Sequence, residues 1–209
     1  MDKQSLLILS YFVAAIGVLF FIELSAPIPY IYQVGLKVVL FLLPVFWVGV
    51  GFFEKPDLRK TKLSIWLGIA VLVLILAAYW VLRGFIDLEK IERMLAERQR
   101  ITREIYIFVA IYAILGNSIL EEVFFRGIVV QKLNYRPWVI SSALFSFYHL
   151  TIFISWFSWW VLLIALVSLF VGGLLFCWLN GARRSIWNSW LMHVFADIAI
   201  FSIGFLIYF

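Results

Sequence analysis

Residues 62–86 read KLSIWLGIAVLVLILAAYWVLRGFI, and the run from Ile69 to Leu82 contains no charged side chain. A helix needs about 20 mostly apolar residues to cross the hydrocarbon core of a bilayer. This stretch meets that length, and it lacks the alternation of apolar and polar residues that is typical of β-barrel strands. It therefore predicts a transmembrane helix.

Further apolar stretches on both sides extend this prediction to the whole chain. Hydrophobic residues make up 65% of the 209 residues and charged residues 14%, whereas roughly 25% of a typical soluble domain is charged. This composition excludes a soluble globular enzyme and a disordered chain, and the single cysteine, Cys177, excludes a disulfide-stapled domain. We predict an all-α, polytopic transmembrane bundle with spans near residues 5–27, 31–53, 62–86, 105–132, 137–155, 158–180 and 185–208.

The segment between the third and fourth spans, residues 87–104, is charged and amphipathic. Leu88, Ile91 and Leu95 recur at helical spacing, so we expect a helix on the membrane surface or an extension of the fourth span. A solvated connector is the alternative. We assign residues 1–104 to N-terminal transmembrane helices and this connector, and residues 105–209 to a motif-bearing core, within one integrated membrane domain.

The basic residues predict that the N-terminus lies in the cytoplasm. With that orientation the inner side receives most of the Lys and Arg outside the spans, as the positive-inside rule requires. These inner residues are Lys3, Lys55, Arg59, Lys60, Lys62, Lys132, Arg136, Arg183 and Arg184. Residues 87–104 break the pattern, because they carry five basic residues on the predicted outer side. We interpret the first stretch as an uncleaved anchor, since it is long and its basic start is thin.

Ionisable side chains inside the spans cluster on three helices. Such a side chain costs about 2.5–3.5 kcal/mol to insert, so its presence at mid-span indicates function. At 1.5 Å per residue, these groups lie roughly 13–20 Å from the basic residues at one membrane face. The fourth stretch carries Glu121, Glu122 and Arg126, the fifth carries His149, and the seventh carries His193 and Asp197; the two histidines are the only ones in the chain.

The spacing within each helix predicts which of these groups can meet. Glu122 and Arg126 are four residues apart and can pair on one face, as can His193 and Asp197. Glu121 points about 100° away from Glu122 around the helix. We expect Glu121 to face a cavity without a partner of its own, which makes it a candidate general base.

Other residues in the spans have simpler interpretations. Glu23, Lys37 and Arg83 lie near the predicted outer ends, where the long basic chains can reach the interface, so we interpret them as structural. Cys177 is interpreted as a packing residue, and Gly172 with Gly173 predicts close contact between helices. The pair of Glu122 and Arg126 could also serve only to lock helices together. Both histidines and three carboxylates at one depth jointly favour a site.

Three motifs carry a resemblance to a known family. Residues 121–126 fit EExxxR, residues 145–149 fit FxxxH, and residues 193–197 fit Hxxx(N/D). In this order on separate membrane helices, they resemble the CAAX protease and bacteriocin-processing (CPBP) family, which is related to type II CAAX prenyl endopeptidases. The resemblance covers roughly residues 105–200. It implies an intramembrane endopeptidase that acts on a peptide or protein substrate at the bilayer, with a site open to the cytosol, in a prokaryotic plasma membrane.

The resemblance also implies roles for the clustered residues. Glu121 would activate the attacking water with help from His149, and His193 with residue 197 would stabilise the oxyanion. Glu122 and Arg126 would hold the site together. Prenyl endopeptidases typically have Asn where this chain has Asp197. An ionised Asp cannot donate to an oxyanion, so Asp197 is protonated, orients His193 or binds a metal.

Several alternatives stay open at this point. Two histidines and a glutamate are a recognised zinc ligand set, so Glu121, His149 and His193 are candidate ligands for a divalent metal, and a metal-free mechanism is the other possibility. A non-catalytic membrane immunity or regulatory protein could retain the same motifs. A transporter is disfavoured, because no duplicated broken helices are evident. We expect no nucleic-acid partner.

Overall fold

The computed structural model describes residues 2–25, 28–48, 51, 53–181 and 185–209. Within these ranges the regular secondary structure is helical, apart from an isolated antiparallel bridge between Phe53 and Ser185. The helices are α1 (Lys3–Ser25), α2 (Tyr30–Val48), α3 (Leu58–Leu82), α4 (Leu88–Gln99), α5 (Arg103–Lys132), α6 (Pro137–Phe153), α7 (Trp159–Asn180) and α8 (Trp187–Tyr208).

The lengths of these helices confirm the predicted polytopic bundle. Among the described helices, α1, α2, α3, α5, α7 and α8 are long and apolar enough to cross a membrane. The shorter apolar helix α6 has 17 residues and corresponds to the predicted fifth span. The chain is therefore an integral membrane protein. Two of the basic residues used for the orientation, Arg183 and Arg184, lie outside the described residues.

The surface helix α4 forms as its sequence predicts. The Asp87 side chain caps its first turn by accepting from the Lys90 amide at 2.8 Å. Arg100 ends the helix in the left-handed conformation, with φ of 56°. Ile91 is buried on one face, whereas the charged residues between it and the ends are largely exposed. The amphipathic pattern therefore places α4 against the bundle along a narrow apolar stripe.

The central helix is α5. All residues from Glu121 to Val129 are buried, so other helices surround this part of α5 on every side. Two π-helical segments, Tyr112–Asn117 and Val123–Val129, flank the α-helical turn Ser118–Glu122. Such wide turns are rare and frequently lie at functional sites. Complete enclosure explains why both Glu121 and Glu122 are buried although they point in different directions from the helix axis.

Aromatic packing fills the bundle on the side of the site that leads towards Lys132. The rings of Phe41 and Phe124 stack with centroids 4.5 Å apart, and Phe125 packs edge-on against Phe145 at 5.2 Å. Phe41, Phe124 and Phe125 are each no more than 1% exposed. These contacts join α2, α5 and α6, the helices that carry Lys37, Glu121 and His149.

Glycines set the closest helix contacts. A Cβ added at Gly173 of α7 would lie 2.9 Å from the Ser142 side chain of α6, closer than real Cβ atoms approach. The neighbouring Gly172 has no atom within 4 Å of the same position. Gly173, rather than Gly172, is therefore the residue that permits α6 and α7 to pack closely.

This difference provides a matched pair of variants. We expect Gly173→Ala to lower the free energy of unfolding by about 1–3 kcal/mol, because α6 and α7 must move apart. Gly172→Ala should leave stability unchanged or slightly raised, since alanine is the better helix former. Thermal unfolding of the purified protein in detergent measures both effects. Equal melting temperatures for the two variants would contradict this assignment.

Candidate active site

Glu121 lies at the centre of the polar cluster and is 1% exposed. Its Oε1 atom accepts hydrogen bonds from Lys37 Nζ at 2.6 Å and from Asn117 Nδ2 at 2.7 Å. Its Oε2 atom is buried and has no hydrogen-bond partner among the described residues. The two oxygens of one carboxylate therefore have different environments: one is saturated by donors and the other remains available.

Both histidines of the chain face the available oxygen. His149 Nε2 lies 3.9 Å and His193 Nε2 lies 3.8 Å from Glu121 Oε2. The predicted common depth of the three residues thus corresponds to a real cluster. It is formed by α5, α6 and α8, and it contains every histidine in the sequence.

Hydrogen bonds to the other ring nitrogens define the tautomers. His149 Nδ1 is 2.9 Å from the Phe145 carbonyl oxygen, which can only accept, so we assign the proton to Nδ1. His193 Nδ1 is 3.0 Å from Glu122 Oε1, and a carboxylate is likewise an acceptor. In neutral His149 the Nε2 lone pair is then directed into the cluster, and His193 Nε2 faces the same point. The Phe145 side chain packs against Phe125, while its backbone carbonyl oxygen orients His149.

Glu122 and Arg126 form the predicted ion pair. Arg126 Nη1 lies 3.1 Å from Glu122 Oε1, and both side chains are no more than 1% exposed. The guanidinium lies over the rings of Phe145 and Phe176, at 4.3 and 4.7 Å from the centroids. The pair also positions His193, because Glu122 Oε1 contacts both Arg126 Nη1 and His193 Nδ1.

Asp197 lies at the more exposed edge of the cluster. Its Oδ1 is 3.7 Å from His193 Nε2, and its side chain is 19% exposed, compared with 2% for Glu121. Glu122 contacts His193 Nδ1, whereas Asp197 lies near the other ring nitrogen, Nε2, which also faces Glu121. Its carboxylate is positioned to balance charge on the ring.

Two expectations from the sequence are wrong. Lys37 does not reach the membrane interface: it is 8% exposed and pairs with Glu121. Glu121 consequently does have a partner, and Lys37 also donates to Asn117 Oδ1. Lys37 and Glu121 are 84 residues apart in the sequence, so spacing within a helix cannot predict that they pair. A signal was present, since Lys37 is the only charged residue in α2.

Glu23 and Arg83 have the structural roles expected of them. Gln99 of α4 contacts both carboxylate oxygens of Glu23 at 3.4 Å. The Arg83 guanidinium lies 4.2 Å from the ring centroid of Trp80. Both contacts occur near the surface helix and stabilise the ends of the spans.

The donor set does not fit a resident metal ion. In the described part of the chain, no three His, Cys, Asp or Glu side chains are arranged to hold one. The Lys37 ammonium already contacts Glu121 at 2.6 Å, and it would repel a divalent cation bound to the same carboxylate. We therefore derive no chemical step through a metal at Glu121, His149 and His193.

Comparison with known families agrees with this cluster. Residues 103–199 match the family described as type II CAAX prenyl endopeptidase Rce1-like. The matched range includes every clustered residue of α5, α6 and α8, and it confirms the resemblance inferred from the three motifs. The family is one of proteases, which supports a protease activity in the membrane. Searches of curated proteins and of solved structures found no match.

A single and a double variant test the buried ion pair of Glu122 and Arg126. Arg126→Met leaves Glu122 buried without its counter-charge, so we expect a loss of about 3–5 kcal/mol in stability. Glu122→Gln combined with Arg126→Met removes both charges and should recover most of that loss. Thermal unfolding in detergent compares the single and double variants. A double variant as unstable as Arg126→Met would show that the unpaired charge is not the cause.

Proposed function

We propose that this protein is an intramembrane endopeptidase that hydrolyses a peptide bond with water activated by Glu121 and His149. The observation that carries the proposal is the position of both histidine Nε2 atoms within 3.9 Å of the unpartnered Glu121 Oε2. A buried carboxylate oxygen and two imidazoles around one point form the kind of group that general acid–base catalysis requires.

The acceptors in the cluster support a position for the attacking water. Glu121 Oε2 and the lone pair of His149 Nε2 cannot donate to each other, whereas a water molecule can donate to both. Glu121 takes one proton as the water oxygen bonds to the scissile carbonyl carbon. When the C–N bond breaks, Glu121 returns that proton to the leaving amine nitrogen. The carboxylate is thereby regenerated, and the net reaction consumes one water.

His193 supplies stabilisation for the oxyanion in this proposal. Its doubly protonated ring donates from Nε2 to the negative oxygen of the tetrahedral intermediate. Glu122 at Nδ1 and Asp197 near Nε2 compensate the positive charge of the ring from both sides. Asp197 therefore acts on the ring, and it need not donate a hydrogen bond as an Asn at this position could.

The burial pattern supports one direction of substrate entry. The side of the cluster towards Lys132 is closed by residues that are no more than 1% exposed: Phe124, Phe125, Ile128 and Val129. The exposed edge belongs to His149 and Asp197, whose side chains are 14% and 19% exposed. In addition, α6 ends at Phe153, only one turn beyond His149. We infer that the substrate enters at the membrane face where α6 ends.

Helix α4 and the C-terminal end of α8 lie at the same membrane face as this entry. Arg98 of α4 donates to the Leu24 carbonyl at the end of α1, and Tyr208 donates to the Ile101 carbonyl just after α4. The start of α1 lies at the opposite face. A site open to the cytosol, as the family resemblance implies, then places α4 in the cytoplasm and the N-terminus outside. It places the five basic residues of 87–104 inside but most of the other loop Lys and Arg outside, so it reverses the orientation predicted above from the basic residues.

Cysteine labelling tests the orientation. In a Cys177→Ser background, we place reporters with Lys3→Cys and Glu97→Cys, because both positions are exposed at opposite faces. A membrane-impermeant maleimide added to intact cells should label Lys3→Cys, and it should label Glu97→Cys only after permeabilisation. The reverse result would place α4 outside and would contradict cytosolic entry.

Peptide hydrolysis tests the proposed activity. The probes are a fluorogenic peptide with a prenylated cysteine followed by three residues, and the same peptide without the lipid. We expect Glu121→Gln to reduce the rate by at least about 100-fold, because it removes the base while preserving shape. Glu89→Gln, at a position whose side chain is 88% exposed on α4, is the matched control and should retain full activity.

Other outcomes of that assay would favour the alternative function. Activity that survives in a well-folded Glu121→Gln protein would remove Glu121 from the mechanism. Failure of the wild-type protein to cleave either peptide would favour the non-catalytic immunity or regulatory protein. Melting temperatures of both variants show whether a lost activity reflects chemistry or folding.

A further inference from the structure

We propose that Lys37 is a positioning residue, which keeps Glu121 ionised and directs its Oε2 towards the attacking water. This inference deepens the proposed peptidase function and rests on it. Lys37 belongs to α2 and lies outside the region that matches the peptidase family, residues 103–199. The N-terminal helices thus contribute a residue to a site whose other members lie in the C-terminal half.

The contacts of Lys37 fix the orientation of the Glu121 carboxylate. Nζ donates to Glu121 Oε1 at 2.6 Å and also to Asn117 Oδ1. Asn117 Nδ2 in turn donates to the same Glu121 Oε1 at 2.7 Å. These three hydrogen bonds form a closed ring of contacts on one carboxylate oxygen. Rotation of the carboxylate would break two of them, so Oε2 is held towards the histidines.

Two aromatic rings lie beside the Lys37 ammonium. Its Nζ lies 4.4 Å from the ring centroid of Tyr148 and 5.3 Å from that of Phe41. Cation–π attraction from these rings adds to the ion pair. A buried ammonium without a partner would be costly, and so would a buried carboxylate. Lys37 and Glu121 therefore stabilise each other's charge inside the bundle.

Among the described residues, Lys37 is the lysine or arginine that contacts Glu121, since Arg126 pairs with Glu122. The other titratable groups around Glu121 are tyrosines, histidines and carboxylates. They are Tyr30 on α2, Tyr112 and Glu122 on α5, Tyr148 and His149 on α6, and His193 and Asp197 on α8. Without Lys37, an ionised Glu121 would lose the ammonium that contacts its Oε1, which favours protonation, and protonation would abolish its function as a base.

Infrared spectroscopy tests this role without any substrate. In Lys37→Met we expect a carbonyl band of a protonated carboxylic acid at neutral pH. Relative to the wild-type protein this band should gain intensity, and Lys37→Met combined with Glu121→Gln should lose that gain. Lys37→Arg keeps the charge and should resemble the wild type. Lys90→Met, at an exposed position on α4, is the matched control and should cause no change.

Peptide hydrolysis supplies the second readout. For Lys37→Met we expect kcat at neutral pH to fall at least about 10-fold with little change in KM, as for a group whose effect appears in the chemical step. The acidic limb of its pH–rate profile should move to higher pH, a shift that a merely structural contact would not cause. Lys37→Arg should restore part of kcat. If Lys37→Met does not fold, Lys37→Gln provides the same test.

The two readouts separate this inference from the proposed function. A Lys37→Met protein without the acid band and with a wild-type pH profile would overturn the role of Lys37. Inactivity of the Glu121→Gln protein would in that case still support the proposed peptidase function. Conversely, the acid band in Lys37→Met together with no hydrolysis by the wild type would support the charge role of Lys37 and refute the peptidase.

Discussion

The structure depends on the compensation of two adjacent carboxylates inside a membrane bundle. Glu121 and Glu122 are at most 1% exposed, and an isolated charge in such surroundings is expensive. Each is compensated by a cation from a different source: Glu122 by Arg126 one turn along α5, and Glu121 by Lys37 on α2. These ion pairs tie α2, α5 and α8 into one polar centre, because Glu122 also holds His193.

The two glutamates differ in which groups they contact. In each, Oε1 contacts two partners and Oε2 has no hydrogen-bond partner among the described residues. The Oε1 atom of Glu122 contacts both Arg126 and His193, an arrangement suited to holding the helices and the imidazole in place. Glu121 uses one oxygen for Lys37 and Asn117 and presents the other to His149 and His193. Neighbouring residues of the same type can thus serve different purposes, since their environments differ.

The packing around the centre explains its asymmetry. Close-packed aromatic and aliphatic side chains exclude water on the side towards Lys132, whereas α6 is short and leaves His149 near its end. A site closed on one side and accessible on the other restricts the direction from which a peptide can approach. In the proposed function, the polar groups of α5, α6 and α8 face a substrate that enters beside α4.

Much of this molecule could be predicted from its sequence. Apolar runs of sufficient length predicted the spans, and spacings of four residues predicted the contacts of Glu122 with Arg126 and of His193 with Asp197, because hydropathy and helical periodicity are local properties. The contact of Lys37 with Glu121 could not be predicted in this way. It depends on the rotation and depth at which α2 packs against α5, and these follow from side-chain packing across the whole bundle. The membrane location and the helix-borne motifs were therefore evident from the amino acids alone, whereas the partner of the central glutamate emerged only from the packed helices.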